Sequence, residues 1–349
     1  MNNRLLATLT NQTTDSIPIW LMRQAGRYLP EYRAVRATKP DFMSFCKTPE
    51  LCCEVTLQPL ERYALDAAIL FSDILTIPDA MNLGLNFVAN EGPVFNAPLR
   101  NESQIRSLQM PDIEHDLDYV TQTIKLIKKA LNNQLPLIGF SGSPWTLACY
   151  MVEGQSSKTF SIIKSMLYSR PELLQHLLQL LSESVIAYLK MQIQAGVDTI
   201  MLFDTWGGIL TTRAYHDFSL KWMQHIVHAL KTDPSLKQVP VILFTKNGAQ
   251  WAESIAATGC AGLGLDWTWD ISAVRKQLSY KVTLQGNMDP SILFGSPELI
   301  QQEVQRIMTS LGADKSQFIF NLGHGIQPGT PPENVAAMVE AVRKYGKLS

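Results

Sequence analysis

Four arginines fall within fourteen residues near the start of the chain, opposed there by a single acid, Glu31. They are Arg23, Arg27, Arg33 and Arg36. They follow a short apolar run, residues 17–21, that predicts a buried strand. A guanidinium stays protonated at any working pH and presents a planar fork that matches carboxylate or phosphate. The cluster therefore predicts a binding site for a ligand with several anionic groups.

An alternative exists for part of this cluster. Arg33 and Arg36 could lie on the solvated face of a helix that begins at Pro30. Arg23 and Arg27 flank Ala25-Gly26, where small side chains let a ligand approach the backbone closely. The binding interpretation is therefore strongest for Arg23 and Arg27.

Two further polar residues, Asp73 and His324, have sequence neighbours that suggest a specific role. Asp73 lies between apolar residues 67–71 and Ile74-Leu75, a dry setting in which an isolated carboxylate is costly. It could form an ion pair or cap a helix, or it could present a fixed negative charge to N–H donors or to a developing cation. His324 lies between two glycines, and it could be a structural histidine or a ligand-binding one.

The remaining polar candidates give weaker signals. Tyr150 could donate its hydroxyl to a substrate or pack in the core. Thr205 has no histidine partner in sequence, so we interpret it as a hydrogen-bonding residue and not a nucleophile. Asp204 and Asp266 could form a carboxylate pair, which sequence leaves open. No histidine or cysteine spacing typical of zinc is present, and we expect no metal.

Composition limits the class of protein. The 349 residues carry a net charge of −1, which gives no argument for binding to nucleic acid or a membrane. Five cysteines, an odd count without paired spacing, predict free thiols in a reducing compartment. The N-terminus lacks the apolar core of a signal peptide, so we expect a cytoplasmic protein.

Eight short apolar runs, separated by segments with helical periodicity, predict the fold. The runs are residues 17–21, 67–71, 137–140, 199–203, 239–244, 261–265, 282–284 and 318–322. This alternation predicts a parallel sheet closed into a (β/α)8 TIM-type barrel over residues 1–349, as one domain. A doubly wound open sheet is disfavoured because no G-x-G-x-x-G follows an early strand.

The same pattern predicts the embellishments and the helix ends. We expect insertions in the early βα connections, with residues 82–99 forming a hairpin or excursion over the barrel mouth, and a short helix or arm at about residues 1–14. Helix starts are predicted at Ser169, Thr48, Ser296 and Thr330, each followed by Pro and Glu within three residues. In such barrels the site lies at the C-terminal ends of the strands. Those ends carry the polar candidates above, and Lys246 follows the fifth run.

Six stretches together resemble the uroporphyrinogen decarboxylase family, in the family's order, over roughly residues 15–345. They are WLMRQAGRYLPEYR from Trp20, LDAAILFSDIL from Leu65, GFSGSPWTL from Gly139, YMVEG from Tyr150, QGNMDP from Gln285 and NLGHGI from Asn321. The resemblance implies a distorted barrel, a homodimer, no cofactor, and conversion of uroporphyrinogen III to coproporphyrinogen III by loss of four acetate carboxyls.

The resemblance also implies a set of ligand residues. They are Arg23, Gln24, Ala25, Gly26, Arg27, Arg36, Asp73, Tyr150, Thr205 and His324. Of these we expect Asp73, Arg27, Tyr150 and His324 to serve the chemistry. The substrate carries eight carboxylates and four pyrrole N–H groups, which calls for arginines at the rim and one acceptor at the centre.

Two rival functions are weighed against this one. A cobalamin-linked or zinc methyltransferase shares the barrel ancestry, but its usual H-x-C zinc motif is missing at His324. A catalytically silent tetrapyrrole carrier would keep the arginines without the reaction.

Overall fold

Nine strands and seventeen α-helices form in the part of the chain that the computed structural model describes, residues 3–88 and 92–348. The strands are β1 Ala68–Ile69, β2 Leu85–Val88, β3 Gly92–Phe95, β4 Leu137–Gly142, β5 Thr199–Asp204, β6 Val241–Thr245, β7 Gly262–Gly264, β8 Thr283–Met288 and β9 Phe318–Leu322. Seven of them form one sheet in the order β1-β4-β5-β6-β7-β8-β9, and every neighbouring pair is parallel. The predicted (β/α)8-type architecture is confirmed, with seven regular strands.

The first predicted strand, residues 17–21, occupies the gap between β9 and β1. The Phe320 N–H donates to the Pro18 carbonyl at 2.9 Å, and the Asp66 N–H donates to the Ile19 carbonyl at 2.8 Å. The prediction of a regular strand is nevertheless wrong, because only an isolated bridge between Ile19 and Phe320 forms. Pro18 has no N–H to donate, and the Ile19 N–H goes to the Asp66 carboxylate at 2.7 Å.

Helices cover the sheet. They are α1 Arg4–Leu9, α2 Pro30–Arg36, α3 Phe42–Cys46, α4 Pro49–Arg62, α5 Thr76–Ala80, α6 Glu102–Ser107, α7 Ile113–Asp116, α8 Asp118–Leu131, α9 Pro144–Glu153, α10 Ser161–Ser169, α11 Pro171–Ala195, α12 Thr212–Tyr215, α13 Lys221–Thr232, α14 Ala252–Ala256, α15 Ile271–Gln277, α16 Pro297–Ser310 and α17 Pro332–Tyr345. Every residue of β4, β6, β8 and β9 is buried, as expected for a parallel sheet with both faces covered.

The helix starts agree with the sequence in part. The Ser296 hydroxyl accepts the Leu299 N–H at 3.3 Å and caps α16 as predicted. The predicted cap at Ser169 is wrong, because Ser169 ends α10 and its hydroxyl donates to the Ser165 carbonyl. Thr48 and Thr330 give no side-chain cap, although α4 and α17 begin where expected.

Two of the predicted embellishments are present. The predicted short helix before residue 15 is α1, and the Thr283 hydroxyl at the start of β8 donates to the Thr8 carbonyl within it. The predicted hairpin is β2–β3, with residues 89–91 outside the described part of the chain. Its Phe95 N–H donates to the Gly154 carbonyl at the end of α9. Among the described helices, none is long and apolar enough to cross a membrane.

Candidate active site

The turn after residues 17–21 is braced from inside the protein. The buried side chain of Gln24 accepts the Leu21 N–H at 3.1 Å and donates to the Ala67 carbonyl at 3.1 Å. The Met22 N–H donates to the Asn321 side chain at 3.0 Å. These contacts fasten the turn to both neighbouring strands. Both polar ends of Gln24 are thereby used within the protein.

Arg23 lies at the centre of the candidate site. Its backbone has a φ of +60°, in the left-handed region that few non-glycine residues adopt. Its side chain lies across Gly325, where an added Cβ would stand 2.3 Å from the Arg23 Cδ. The Ile326 N–H also donates to the Met22 carbonyl at 3.0 Å. The loop after β9 therefore supports the Arg23 side chain directly.

Asp73 follows β1, and its residue as a whole is only partly exposed to solvent. Protein atoms pack closely around its carboxylate. This burial raises its pKa to about 6, against the opposing effects of the Leu75 N–H and the Arg23 charge. The Leu75 N–H donates to the carboxylate at 2.8 Å. Within the described residues, one oxygen of the Asp73 carboxylate therefore accepts a backbone hydrogen bond and the other does not. The Arg23 guanidinium acts on this carboxylate from beyond ion-pair distance.

Tyr150 lies in the last two turns of α9, and its ring meets the edge of Trp206 at a centroid distance of 6.0 Å. Burial raises the pKa of its hydroxyl to about 12, the Asp73 carboxylate adds to the rise, and Trp206 and Arg23 oppose it. Tyr150 is therefore a neutral hydrogen-bonding group at any working pH.

His324 follows β9 and is half-buried. Burial lowers the pKa of its imidazole to about 3, and the charges of Arg23 and Lys246 lower it further. The imidazole is therefore neutral in the free protein. The Arg23 charge acts on the pKa values of Asp73, Tyr150 and His324 alike, so all three groups lie within electrostatic reach of one guanidinium.

Arg27 and Arg36 extend the positive charge beyond Arg23. Both act on the phenol of Tyr32, lowering a pKa that burial raises. Arg36 and Asp73 both act on the pKa of the buried Cys46 thiol, which Asp73 raises and Arg36 lowers. Within residues 3–88 and 92–348, neither these two arginines nor Arg23 is ion-paired with a carboxylate.

Arg33 has a different role from its neighbours. Its guanidinium donates to the Arg27 carbonyl at 2.8 Å and to the Tyr28 carbonyl at 3.1 Å. Arg33 therefore braces the turn that carries Arg27 and Gly26. Arg36 donates to the Lys39 carbonyl at 2.8 Å and lies 5.8 Å from the centroid of the Phe45 ring, which leaves its charge unneutralised.

The carboxylate pair that sequence left open does not form a unit. Asp204 is fully buried and accepts hydrogen bonds from the hydroxyls of Ser143, Thr146, Ser219 and Thr245 at 2.6–3.2 Å. Asp266 instead accepts from the Asn247 and Thr268 N–H groups. Asp204 therefore ties together the ends of β4, β5 and β6, and the half-buried Thr205 follows it directly in sequence.

Sequence reasoning missed the apolar part of the site. Phe140, Phe203 and Phe244 form a chain of edge-to-face rings across β4, β5 and β6, at centroid distances of 5.7 and 6.2 Å. Phe244 continues to the His324 ring at 6.2 Å. A phenylalanine near the end of each of three consecutive strands was the available signal. Phe244 is fully buried and Phe140 nearly so, while Phe203 is partly exposed, so Phe203 is the member of this chain that a large apolar ring can contact directly.

The site offers charges and hydrogen bonds, and no cluster of metal ligands. In the part of the chain that the structure describes, no three His, Cys, Asp or Glu side chains are grouped to hold a metal ion. What is present is a rim of guanidinium groups, one carboxylate, and neutral phenol and imidazole groups. Such a site can bind a polyanion and stabilise positive charge beside Asp73.

Comparisons with known proteins agree on one family. The family model described as uroporphyrinogen decarboxylase matches residues 1–345. Curated proteins of that name are similar over nearly full length. The one from Pseudoalteromonas atlantica is 56% identical over 344 residues, covering 99% of this chain and 97% of that protein. The one from Alcanivorax borkumensis is 57% identical over 341 residues, covering 98% and 96%.

Solved structures show the same fold in other enzymes. A methyltransferase from Methanosarcina mazei has a TM-score of 0.81 at 21% identity, covering 99% of this chain and 98% of that one. A B12-independent methionine synthase from Shewanella has a TM-score of 0.55 at 12% identity, covering 85% and 87%. These likenesses concern the fold alone. The sequence match over almost every residue decides the family, and the chain belongs to the uroporphyrinogen decarboxylase family.

Proposed function

We propose that this chain removes the four acetate carboxyls of uroporphyrinogen III as CO2 and releases coproporphyrinogen III. The observation that carries the proposal is that the Arg23 guanidinium, whose side chain packs against Gly325, lies within electrostatic reach of Asp73, Tyr150 and His324. Arginines without carboxylate partners suit a substrate with eight carboxylates. Each charge-assisted hydrogen bond contributes about 1.5–3 kcal/mol.

The substrate binds through charge at its edge and through Asp73 at its centre. Arg23, Arg27 and Arg36 take acetate and propionate groups. Asp73 accepts hydrogen bonds from the pyrrole N–H groups and holds the flexible macrocycle in one puckered form. The main chain of Ala25 and Gly26 lies close to the ligand, while Gln24 positions the turn from behind. The Thr205 hydroxyl adds a hydrogen bond.

The reaction uses the pyrrole ring itself as the electron sink. A proton adds to the α-carbon of a pyrrole, which makes that ring cationic. The bond between the acetate methylene and its carboxyl then breaks, CO2 leaves, and the electron pair neutralises the ring. The methylene carbon then takes a proton and becomes a methyl group, and the α-carbon loses the proton that it gained, which restores the neutral aromatic pyrrole. Asp73 stabilises the cationic ring through a fixed charge in a poorly hydrated site.

Tyr150 and His324 serve as neutral hydrogen-bonding groups when the substrate enters. A substrate carboxylate beside His324 favours its protonated form, because an adjacent negative charge raises an imidazole pKa. Arg27 holds a carboxylate close to the reacting ring, and a guanidinium is a poor proton donor.

An anaerobic incubation of the purified chain with uroporphyrinogen III tests the proposal. Chromatography of the oxidised products should show loss of the octacarboxylic form and appearance of the tetracarboxylic form through intermediates. Tight binding of the substrate without any conversion would support the silent-carrier alternative. Stoichiometric zinc in the purified protein, with no conversion, would support the methyltransferase alternative.

The family resemblance supports a proposal for the assembly, and the sequence composition supports one for the compartment. We propose a homodimer, which light scattering coupled to size-exclusion chromatography tests through a mass twice the 39.1 kDa of the chain. We also propose that the protein works in the cytoplasm. All five cysteines are free thiols, four of them buried, as a reducing compartment allows.

A further inference from the structure

Lys246 carries a positive charge at the mouth of the site, and no described carboxylate neutralises that charge. It follows β6 directly and is half-buried. Its ammonium nitrogen lies 6.0 Å from the centroid of the Trp267 ring. Across the described ranges, the Lys246 ammonium has neither an ion pair nor a hydrogen bond to a carboxylate. The nearby Asp266 is already occupied by the N–H groups of Asn247 and Thr268.

Packing places Lys246 beside His324. Phe244, two residues before Lys246 on β6, lies 6.2 Å from the His324 ring. The loops after β7 and β9 are also in direct contact, because a Cβ on Gly323 would stand 2.6 Å from the Trp267 nitrogen. Lys246, Trp267 and His324 are therefore contiguous. The lysine charge reaches the imidazole and acts in the same direction as the Arg23 charge.

The two cations come from different parts of the mouth. Arg23 follows residues 17–21, which lie next to β9, whereas Lys246 follows β6 and is separated from β9 by β7 and β8. The arginines at positions 23, 27 and 36 all belong to the first connection. A ring with carboxylates around its whole edge also needs a cation on the far side of the mouth.

We propose that Lys246, backed by the ring of Trp267, is a second carboxylate-binding subsite that holds an acidic side chain of the tetrapyrrole on the side of His324 remote from Arg27 and Arg36. This subsite rests on the proposed function. Lys246 contributes binding energy that is equal in ground state and transition state. Its removal therefore weakens binding without slowing the bound complex.

Substitution of Lys246 with glutamine tests the subsite. Loss of one charge-assisted contact should raise the KM for uroporphyrinogen III roughly tenfold to a hundredfold, with kcat within about twofold of the wild type. Lys246→Arg keeps the charge and should restore most of the affinity. Lys344→Gln is the matched control, because the Lys344 ammonium lies 5.0 Å from the Tyr345 ring at the end of α17, far from the mouth.

A binding measurement separates this proposal from the proposed function. Uroporphyrin, the oxidised ring with the same eight carboxylates, is titrated by fluorescence and needs no turnover. Weaker binding to Lys246→Gln but not to Lys344→Gln supports the subsite, even for a chain that fails to decarboxylate. Wild-type Kd and KM in Lys246→Gln overturn it. A fall in kcat at unchanged KM also overturns it, since the lysine would then act in the chemistry.

Discussion

The contact between Arg23 and Gly325 gives a sharp test, because it allows the arginine to be moved without being replaced. In Gly325→Ala the new Cβ would stand 2.3 Å from the Arg23 Cδ and 2.6 Å from its Cγ. Optimal carbon–carbon separations are about 3.5–4.0 Å, so the Cδ has to move by at least about 1.2 Å. Gly325 does not have the left-handed backbone that would itself penalise alanine. The fold should therefore survive and the guanidinium should shift.

The expected loss of activity in Gly325→Ala follows from the displacement of the Arg23 side chain. A misplacement of about 1 Å in a binding group can reduce activity about a hundredfold, and the loss of a charge-assisted contact gives roughly tenfold to a hundredfold. We expect kcat/KM for uroporphyrinogen III to fall within this range in Gly325→Ala. The melting temperature should stay within a few degrees of the wild type.

The same loop offers a matched control. In Gly329→Ala the new Cβ would be 3.6 Å from the nearest atom of Phe294, an ordinary contact, so the kinetics should be unchanged. In an Arg23→Ala background, Gly325→Ala should have no further effect, because the group that it displaces is gone. Wild-type kcat/KM in Gly325→Ala, or an additive loss in the double variant, would refute the reasoning.

Two further predictions concern stability. The pKa of Asp73 is raised to about 6, so ionisation of this residue destabilises the folded state by up to about 3 kcal/mol at pH 7 and not at all below about pH 4. Asp73→Asn should therefore raise the free energy of unfolding measured in urea at pH 7. A gain of equal size at pH 4 would contradict this. Asp204→Asn puts an amide donor among four hydroxyl donors and should lower the free energy of unfolding by about 3 kcal/mol. An unchanged urea midpoint would show that the hydroxyl network does not hold the strand ends together.

The sequence predicted the features that repeat locally. Apolar runs alternating with helical segments predicted a barrel, and unusual polar residues such as Asp73 and His324 marked the strand ends. Helix starts marked by proline, as at Pro297, were also found correctly. Each of these signals depends on residues that are close together in the sequence, so the sequence pattern was sufficient to predict these features.

Long-range contacts decided the rest. The irregular segment at residues 17–21 depends on the Asp66 carboxylate, which is 47 residues from Ile19 in sequence. The support of Arg23 by Gly325 and the approach of Lys246 to His324 join loops that lie far apart in the sequence. No local pattern identifies such partners. The sequence therefore placed Lys246 at a strand end without assigning it a role.

The central claim is that a fixed carboxylate at position 73 stabilises a cationic pyrrole, and Asp73→Asn tests it most directly. The variant should fold, bind uroporphyrin and retain the arginine rim. Its single-turnover rate of uroporphyrinogen decarboxylation, followed anaerobically by chromatography, should fall about a hundredfold to a thousandfold. A rate close to that of the wild type would contradict the account.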